Sequence, residues 1–423
     1  MNPLLINSSD VGGAATACLR LHEGLLDLNI DSKVLLQKKL RNEILETYKF
    51  QIKTIERDFK TKVSDKATKI FKELNLYKKK KPDQFKLSRN KGLEMFSYPY
   101  SNHDITKSKI YIDSDIINLH WVSGFLDYPS FFQTNKKPIV WTLHDQNPFL
   151  GLEHYSETIL GMDDKGFPIK RNLSRFETNK FKEFENLKKQ ALSSVENLTV
   201  VAPSVWLANE AKKSPVFEKF DVLTIPYGLN SNVFKPLNKS FCREVLNIAE
   251  DKKVILFVAD SISNKRKGYE YLQKAFNEVY NKNCVLLSIG SKNSGLETQE
   301  NYIELGKIQD ERLMSIIYSA ADVFVIPSLM DNLPNTVLES IMCGTPVIGF
   351  PVGGINDMIQ NDENGYLADE ISVDALVNTI KKYLKNPEVF DNNKIRENAV
   401  KKYSLSVQAN AYKKLYEKIL ISN

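Results

Sequence analysis

Residues 320–365 read AADVFVIPSLMDNLPNTVLESIMCGTPVIGFPVGGINDMIQNDENG, and the fold turns on this stretch. Val323–Pro327 is a short apolar run of the kind found in strands buried on both faces. It ends in a loop, Ser328–Pro334. A helix is predicted from about Asn335 to Met342, stopping at Gly344. Asp331 and Glu339 are separated by seven residues, so one carboxylate precedes the helix and the other lies about one turn inside it. A helix N-terminus presents unpaired N–H groups and partial positive charge, which suits a phosphate. A carboxylate one turn in can accept two hydrogen bonds from a vicinal diol such as a ribose. The loop carboxylate can do the same for a sugar hydroxyl. Together they would hold a nucleoside diphosphate sugar at both ends.

Similar runs recur along the chain: Leu4–Asn7, Val34–Leu36, Ile116–His120, Ile139–His144, Leu198–Ser204, Val222–Pro226, Val254–Asp260, Val285–Gly290 and Pro346–Phe350. They alternate with helical stretches, which predicts parallel α/β sheets, and two sheets fit the number of runs better than one. Turn residues at Ser214-Pro215 and Ile225-Pro226-Tyr227-Gly228 mark the break between them. The expected organisation is an N-terminal domain over 1–212, a second domain over 213–402 and a terminal helix over 403–423. Val407, Ala411, Leu415 and Ile419 form that helix's apolar stripe, with Tyr412 and Tyr416 beside it.

The chain has 423 residues, 42% hydrophobic and 26% charged, ordinary values that exclude a disordered or collagen-like polymer. Four cysteines without a CxxC pair argue against disulfide scaffolds and thiolate zinc sites, and fit a reducing compartment. The start, MNPLLINSSDVGG, shows no basic and apolar export signal, so a cytoplasmic protein is expected. Five histidines without His-x-x-x-His, and no DxD, predict no metal site. No GxGxxG follows a predicted strand, which disfavours a dinucleotide-binding dehydrogenase.

The net charge of +6 is concentrated. Lys38–Lys91 holds 18 Lys/Arg against 7 Asp/Glu. Within a helical insertion placed at about 38–100, Ile44, Tyr48, Ile52, Ile55, Phe59, Val63, Ala67, Ile70, Phe71 and Leu74 form an amphipathic stripe. Lys78–Lys81 then precede Pro82. The stripe can dock on the domain while its lysines are solvated. The lysines can equally attract an anionic membrane surface, at about 1 kcal/mol per basic residue. Nucleic acid is not expected, because aromatics are not interleaved as stacking platforms.

The 320–365 block resembles the retaining glycosyltransferases of family 4, whose GT-B fold sets two Rossmann-like doubly wound domains across a cleft. Glu339 and Gly344-Thr345-Pro346-Val347 match the family pattern, and Asp331 replaces its first Glu. The resemblance implies donor contacts from Asn332, Leu333, Asn335, Thr336, Val337 and Glu339. SNKRKGYEYLQKAF (263–276) is similar to the family's Lys-Gly loop, which makes Lys267 and, more loosely, Arg266 the diphosphate's cations. Gly12 and Gly13, at the first strand–helix junction, match a loop carried against the diphosphate. WTLHDQNPFLGLEHY (141–155) resembles a strand-end motif in which His144 touches the donor sugar and Asp145 supports the loop. His120 lines the same cleft or is a buried, hydrogen-bonded histidine.

The implied catalytic set is His144, Asp331 and Lys267, with His120 and Asp145 on the acceptor side. The implied activity is metal-independent transfer, with no cofactor, from a nucleotide sugar, UDP above all, to a glycan or lipid-linked acceptor of a bacterial surface polysaccharide, at most peripherally on the inner face of the plasma membrane. A GT-B nucleotide-sugar epimerase and an inactive carbohydrate-binding protein remain alternatives.

Overall fold

A computed structural model of the chain describes residues 1–51, 83–89, 93–280, 282–291 and 301–422. Its strands are β1 (Pro3–Ser9), β2 (Lys33–Lys38), β3 (Thr47–Lys49), β4 (Ile116–Leu119), β5 (Ile139–Thr142), β6 (Ile159–Met162), β7 (Pro168–Lys170), β8 (Leu198–Ala202), β9 (Asp221–Thr224), β10 (Lys253–Ser261), β11 (Cys284–Ser291), β12 (Tyr302–Glu304), β13 (Val323–Ile326), β14 (Val347–Gly349) and β15 (Gly365–Leu367).

Among the described residues, two parallel sheets carry the chain. The first has the order β3-β2-β1-β4-β5-β8-β9 and the second β12-β11-β10-β13-β14-β15. In both, the first strand of the unit lies inside the sheet, with its successors on one side and later strands on the other. This is the doubly wound arrangement, and it leaves a crevice beyond the carboxyl ends of the two central strands, β1/β4 and β10/β13. The sequence dictates it through runs such as Leu4-Leu5-Ile6 and Val323-Phe324-Val325, whose side chains are all fully buried. Alternation would have left one face wet; continuous apolar runs need helices on both. β6 and β7 form a separate antiparallel hairpin.

Three expectations are corrected. β9 pairs with β8, so residues 213–224 complete the first sheet and the change of domain comes after Thr224, later than a cut at 212. Ile44 and Tyr48 are not the start of a helix: Tyr48 lies in β3, paired with Leu35 of β2, and Ile44 in the turn before it. The rest of that stripe, Ile52 to Leu74, and Lys78–Lys81 lie outside the described residues. In the terminal helix Leu405–Ser422, the buried face is Leu405, Gln408, Ala409, Tyr412, Leu415 and Tyr416, while Val407 is exposed. The two tyrosines sit at its centre because they pack into the N-terminal core with Cys18, Leu21 and Val140. Their hydroxyls find partners there: Tyr412 with Thr142 at 2.8 Å and Tyr416 with Asn118 at 2.7 Å. The last helix therefore straps the second half of the chain to the first. No helix among the described residues is long and apolar enough to cross a membrane.

Candidate active site

The carboxyl edge of the second sheet is charged. After β10 the chain makes a short 3-10 turn, Lys265–Lys267, and reverses at Gly268 with φ 69°. A Cβ there would lie 1.8 Å from the Pro327 carbonyl oxygen, so only glycine lets this turn press against the end of β13. The result puts Lys267 Nζ 2.6 Å from Asp331 Oδ2. Ser328 Oγ donates to the same oxygen at 3.3 Å, and the Asn332 amide donates to Oδ1 at 3.1 Å. Gly353 backs the loop: a Cβ there would meet the Asp331 carbonyl at 2.0 Å. Burial alone would raise the Asp331 pKa, but Lys267 and Arg266 outweigh it and hold the carboxyl below its ordinary value. Asp331 is therefore an anion at neutral pH.

Arg266 Nη1 lies 3.5 Å from the same Asp331 oxygen. The same Nη1 donates to the Met330 carbonyl at 2.8 Å, and Nε donates across the cleft to Glu94 at 3.0 Å. The guanidinium stacks 4.8 Å above the Tyr155 ring. Burial opposes its charge, yet Tyr155, Asp331 and Glu94 raise its pKa further.

The helix after this loop spans Asn335–Met342, preceded by Pro334, and its N-terminus has no side-chain cap. Inside the loop and first turn, the Val337 amide bonds back to the Pro334 carbonyl at 3.1 Å. Val337 and Leu333 side chains belong to the core beneath. Asn335 Nδ2 donates to the Gly13 carbonyl at 3.2 Å, which brings the Gly12-Gly13 loop against the helix N-terminus from the opposite domain. Thr336 shares that first turn. Glu339, one turn in, accepts from the Tyr318 hydroxyl at 3.1 Å and from Arg20 at 2.9 Å. Arg20 belongs to the helix Gly13–Asp27 of the first domain and also bonds Glu311 at 2.7 Å.

The carboxyl edge of the first sheet is built around an aromatic stack, with one ionised carboxylate, Asp145, beside it. His144, just past β5, stacks between His120 and Tyr227. Its Nε2 is 2.9 Å from His120 Nδ1 and its Nδ1 is 2.7 Å from the Tyr227 hydroxyl. Burial lowers the His144 pKa to about 4, against a smaller opposing pull from Asp145, and drives His120 well below its ordinary value. Both rings are neutral at pH 7. The backbone of His144 reaches the donor loop, its carbonyl accepting from Asn332 Nδ2 at 3.2 Å, while Asn332 Oδ1 accepts from Ser204 at 2.6 Å. Asp145 is held within the first domain. It accepts from Trp121 Nε1 at 3.0 Å and the Asn147 amide at 2.9 Å, and pairs with His154 at 2.6 Å. Burial opposes ionisation of Asp145, but His154 and these donors lower its pKa. His120 is the buried, hydrogen-bonded histidine of the two readings, and with Trp121, His144 and Asp145 it lines one small cavity.

The structure thus gathers Lys267, Arg266, Asp331, Asn332, Asn335 and Glu339 with Gly13 around one crevice, and sets His144 and His120 beside it through their shared stack. Sequence reasoning missed Arg20, Glu94, Tyr155, Tyr227 and Tyr318. Arg20 alone carried a usable signal: it sits three residues after Ala17, on the apolar face of its helix, where a charge demands a partner. Among the described residues, no group of three His, Cys, Asp or Glu could hold a metal ion.

Residues 238–402 match the family model described as Glycosyl transferases group 1. Over this stretch the chain is similar to the group 1 glycosyltransferases. TuaC of Bacillus subtilis (strain 168), named a putative teichuronic acid biosynthesis glycosyltransferase, is 28% identical over 244 residues, 56% of this chain and 58% of its own. The chain spans about half the length of the curated relatives it matches. Sucrose-phosphate synthase from Thermosynechococcus elongatus superposes with a TM-score of 0.70 at 18% identity, covering 100% of both chains. Anabaena HepE, solved in complex with UDP-glucose, gives a TM-score of 0.65 at 14% identity over 99% of this chain and 100% of its own. The fold of the chain is the GT-B fold these structures share.

Proposed function

We propose that the protein is a retaining glycosyltransferase of family 4. It transfers a sugar from a nucleoside diphosphate donor, UDP-linked in the first instance, to a glycan or lipid-linked acceptor in bacterial surface polysaccharide synthesis. One observation carries the reading: the Lys267–Asp331 pair stands before the N-terminus of Asn335–Met342, with Glu339 one turn inside, at the switch point of the second sheet. The HepE complex with UDP-glucose and the teichuronic acid role named for TuaC point the same way.

The reaction is a front-face displacement. The bond from the anomeric carbon to the diphosphate breaks, and its electron pair leaves on the phosphate oxygen. Lys267, Arg266 and the helix N-terminus stabilise that oxygen without a metal ion. The acceptor hydroxyl attacks from the same face, and its proton passes to the departing phosphate oxygen. Asp331 receives a donor-sugar hydroxyl and Glu339 the ribose diol. His144 is a neutral hydrogen-bonding wall, because its pKa of about 4 leaves no imidazolium to act as an acid at pH 7. Exposed Leu40 and Leu45 beside Lys38, Lys39 and Arg41 support a lipid-linked acceptor at an anionic membrane surface.

Thermal-shift measurement against UDP, GDP, CDP and ADP, with and without EDTA, tests the reading. A ligand at a hundredfold excess over Kd stabilises by about 2.7 kcal/mol. The expected result is a shift with one nucleotide, indifferent to EDTA and lost in Glu339→Ala. No shift with any nucleotide overturns the donor site. A shift without release of nucleotide from the sugar donor favours a binding module.

A further inference from the structure

Arg20 is a buried cation of the first domain whose partners all belong to the second. Its side chain is 6% exposed. Nη2 donates to Glu339 Oε1 at 2.9 Å and to Glu311 Oε1 at 2.7 Å, Nε donates to Glu311 at 3.3 Å, and Nη1 donates to Asn335 Oδ1 at 3.3 Å. The guanidinium lies 5.4 Å from the Phe234 ring centroid. Burial works against this charge, and Glu339 and Glu311 hold it in place. The fork of Nε and Nη2 grips Glu311 and so fixes the guanidinium, whose single bond to Glu339 Oε1, with the Tyr318 hydroxyl on Oε2, holds both oxygens of that carboxylate.

The carboxylate it fixes is the one assigned to the ribose. An ionised carboxylate offers about four lone-pair directions. On Glu339 one is taken by Arg20 on Oε1 and one by Tyr318 on Oε2, which leaves two, the number a vicinal diol needs. Glu339's side chain is 11% exposed, so those two directions are reached through a narrow opening.

We propose that Arg20 is a positioning residue for nucleotide recognition: docked from the acceptor domain, it locks the Glu339 carboxylate in the orientation that accepts the ribose 2′- and 3′-hydroxyls, and so ties ribose recognition to closure of the two domains. This rests on the donor-site reading above. Without Arg20 the carboxylate rotates about its side chain and keeps an unbalanced, half-desolvated charge, and preorganised geometry is lost.

The test compares ligands that differ only at the diol. Kd values are measured by calorimetry for UDP, 2′,3′-dideoxy-UDP and inorganic pyrophosphate, with GDP, CDP and ADP pairs run alongside. Wild-type protein should prefer the ribo form by about tenfold or more, the worth of hydrogen bonds to a charged group. In Arg20→Ala the preference should fall to about threefold or less, while pyrophosphate affinity stays within about twofold. Lost packing alone would weaken all three ligands together. Arg20→Lys keeps a charge near Glu339 but cannot span to Glu311, and should give an intermediate preference. It also serves if the alanine variant fails to fold, in which case an undiminished preference in the lysine variant overturns the proposal. So does an undiminished preference in Arg20→Ala. Tighter UDP binding by Arg20→Ala overturns it too, by making Arg20 a competitor for the carboxylate. Failure of every nucleotide to bind wild-type protein fells the donor site itself, and this role with it, whereas a wild type that binds UDP but ignores the diol fells only the ribose role.

Discussion

The carboxyl edges of the two sheets share one topology and carry opposite chemistry. Beyond β10 and β13, the side chains are ions paired with ions: Lys267 and Arg266 with Asp331. Beyond β4 and β5, the centre is a buried stack of neutral rings, His120, His144 and Tyr227, and the Asp145 carboxylate beside it is taken up by Trp121 and His154. A diphosphate leaving group needs fixed charge that is not solvated away, and the second edge supplies it. In the proposed reaction a neutral acceptor hydroxyl would lose nucleophilicity beside a cation, and His120 and His144 carry no charge at pH 7. In the proposed reaction, folding two copies of one architecture face to face would let each half keep the electrostatics its substrate requires.

The sharpest way to break this contrast is to discharge the second edge. Lys267→Ala should lower the turnover of nucleotide-sugar donor by about 10²–10³-fold, the loss usual when one donor to a developing anion is removed. Asp331→Ala should also cost a large factor, although it leaves Lys267 unpaired and more available to phosphate. Steady-state release of nucleoside diphosphate measures both, with circular dichroism to check the fold. Near-normal turnover in Asp331→Ala removes that residue from the mechanism.

The first edge is tested by acid. His144 has a folded pKa of about 4, below the ordinary 6.5, because burial penalises its charged form. Below pH 6.5 the unfolded chain takes up a proton that the folded chain refuses, so stability falls as pH drops from about 6.5 to about 4. The full contribution is about 3 kcal/mol, and His120 acts in the same direction. Asp331 and Asp145 have depressed pKa values, so their contributions are intact in this window and fade only under more acid conditions. Urea unfolding midpoints at pH 7, 6, 5 and 4 should trace the slope, and His144→Gln should flatten it. A wild-type midpoint that does not move between pH 6.5 and 4.5 contradicts a buried neutral stack.

How much of this was legible depended on whether the signal was local. Every apolar run read as a strand is one, because continuous burial writes itself into consecutive residues. Strands β3, β12 and β15 are too short for such a run, the apolar residues of the hairpin β6–β7 are only half-buried or exposed, and the spacing of Tyr48 from Ile44 imitates a helical stripe. In the site, the Asp331-to-Glu339 spacing and the Lys267-Gly268 turn were local and could be read. The partners that complete them were not: Arg20 meets Glu339 across 319 positions, and Glu94 meets Arg266 across 172. Such pairs are created by domain docking and leave at most an unexplained charge on an apolar face.

The terminal helix is the smallest lever on the comparison, because it touches the first edge only from behind. Tyr416 is fully buried and hydrogen-bonds the Asn118 side chain of β4 at 2.7 Å. Asn118 lies two positions before His120, which follows the end of β4, and next to Thr142, which the Tyr412 hydroxyl holds. Tyr416→Phe keeps the ring packed against Cys18 and Leu21 and removes one buried hydrogen bond, so about 1 kcal/mol of stability should be lost. Denaturant unfolding measures it. Donor affinity should be unchanged, since no atom of the charged edge moves. If Tyr416→Phe weakens nucleotide binding as much as it weakens the fold, the helix holds the two halves in their working orientation, and the two edges are not independent.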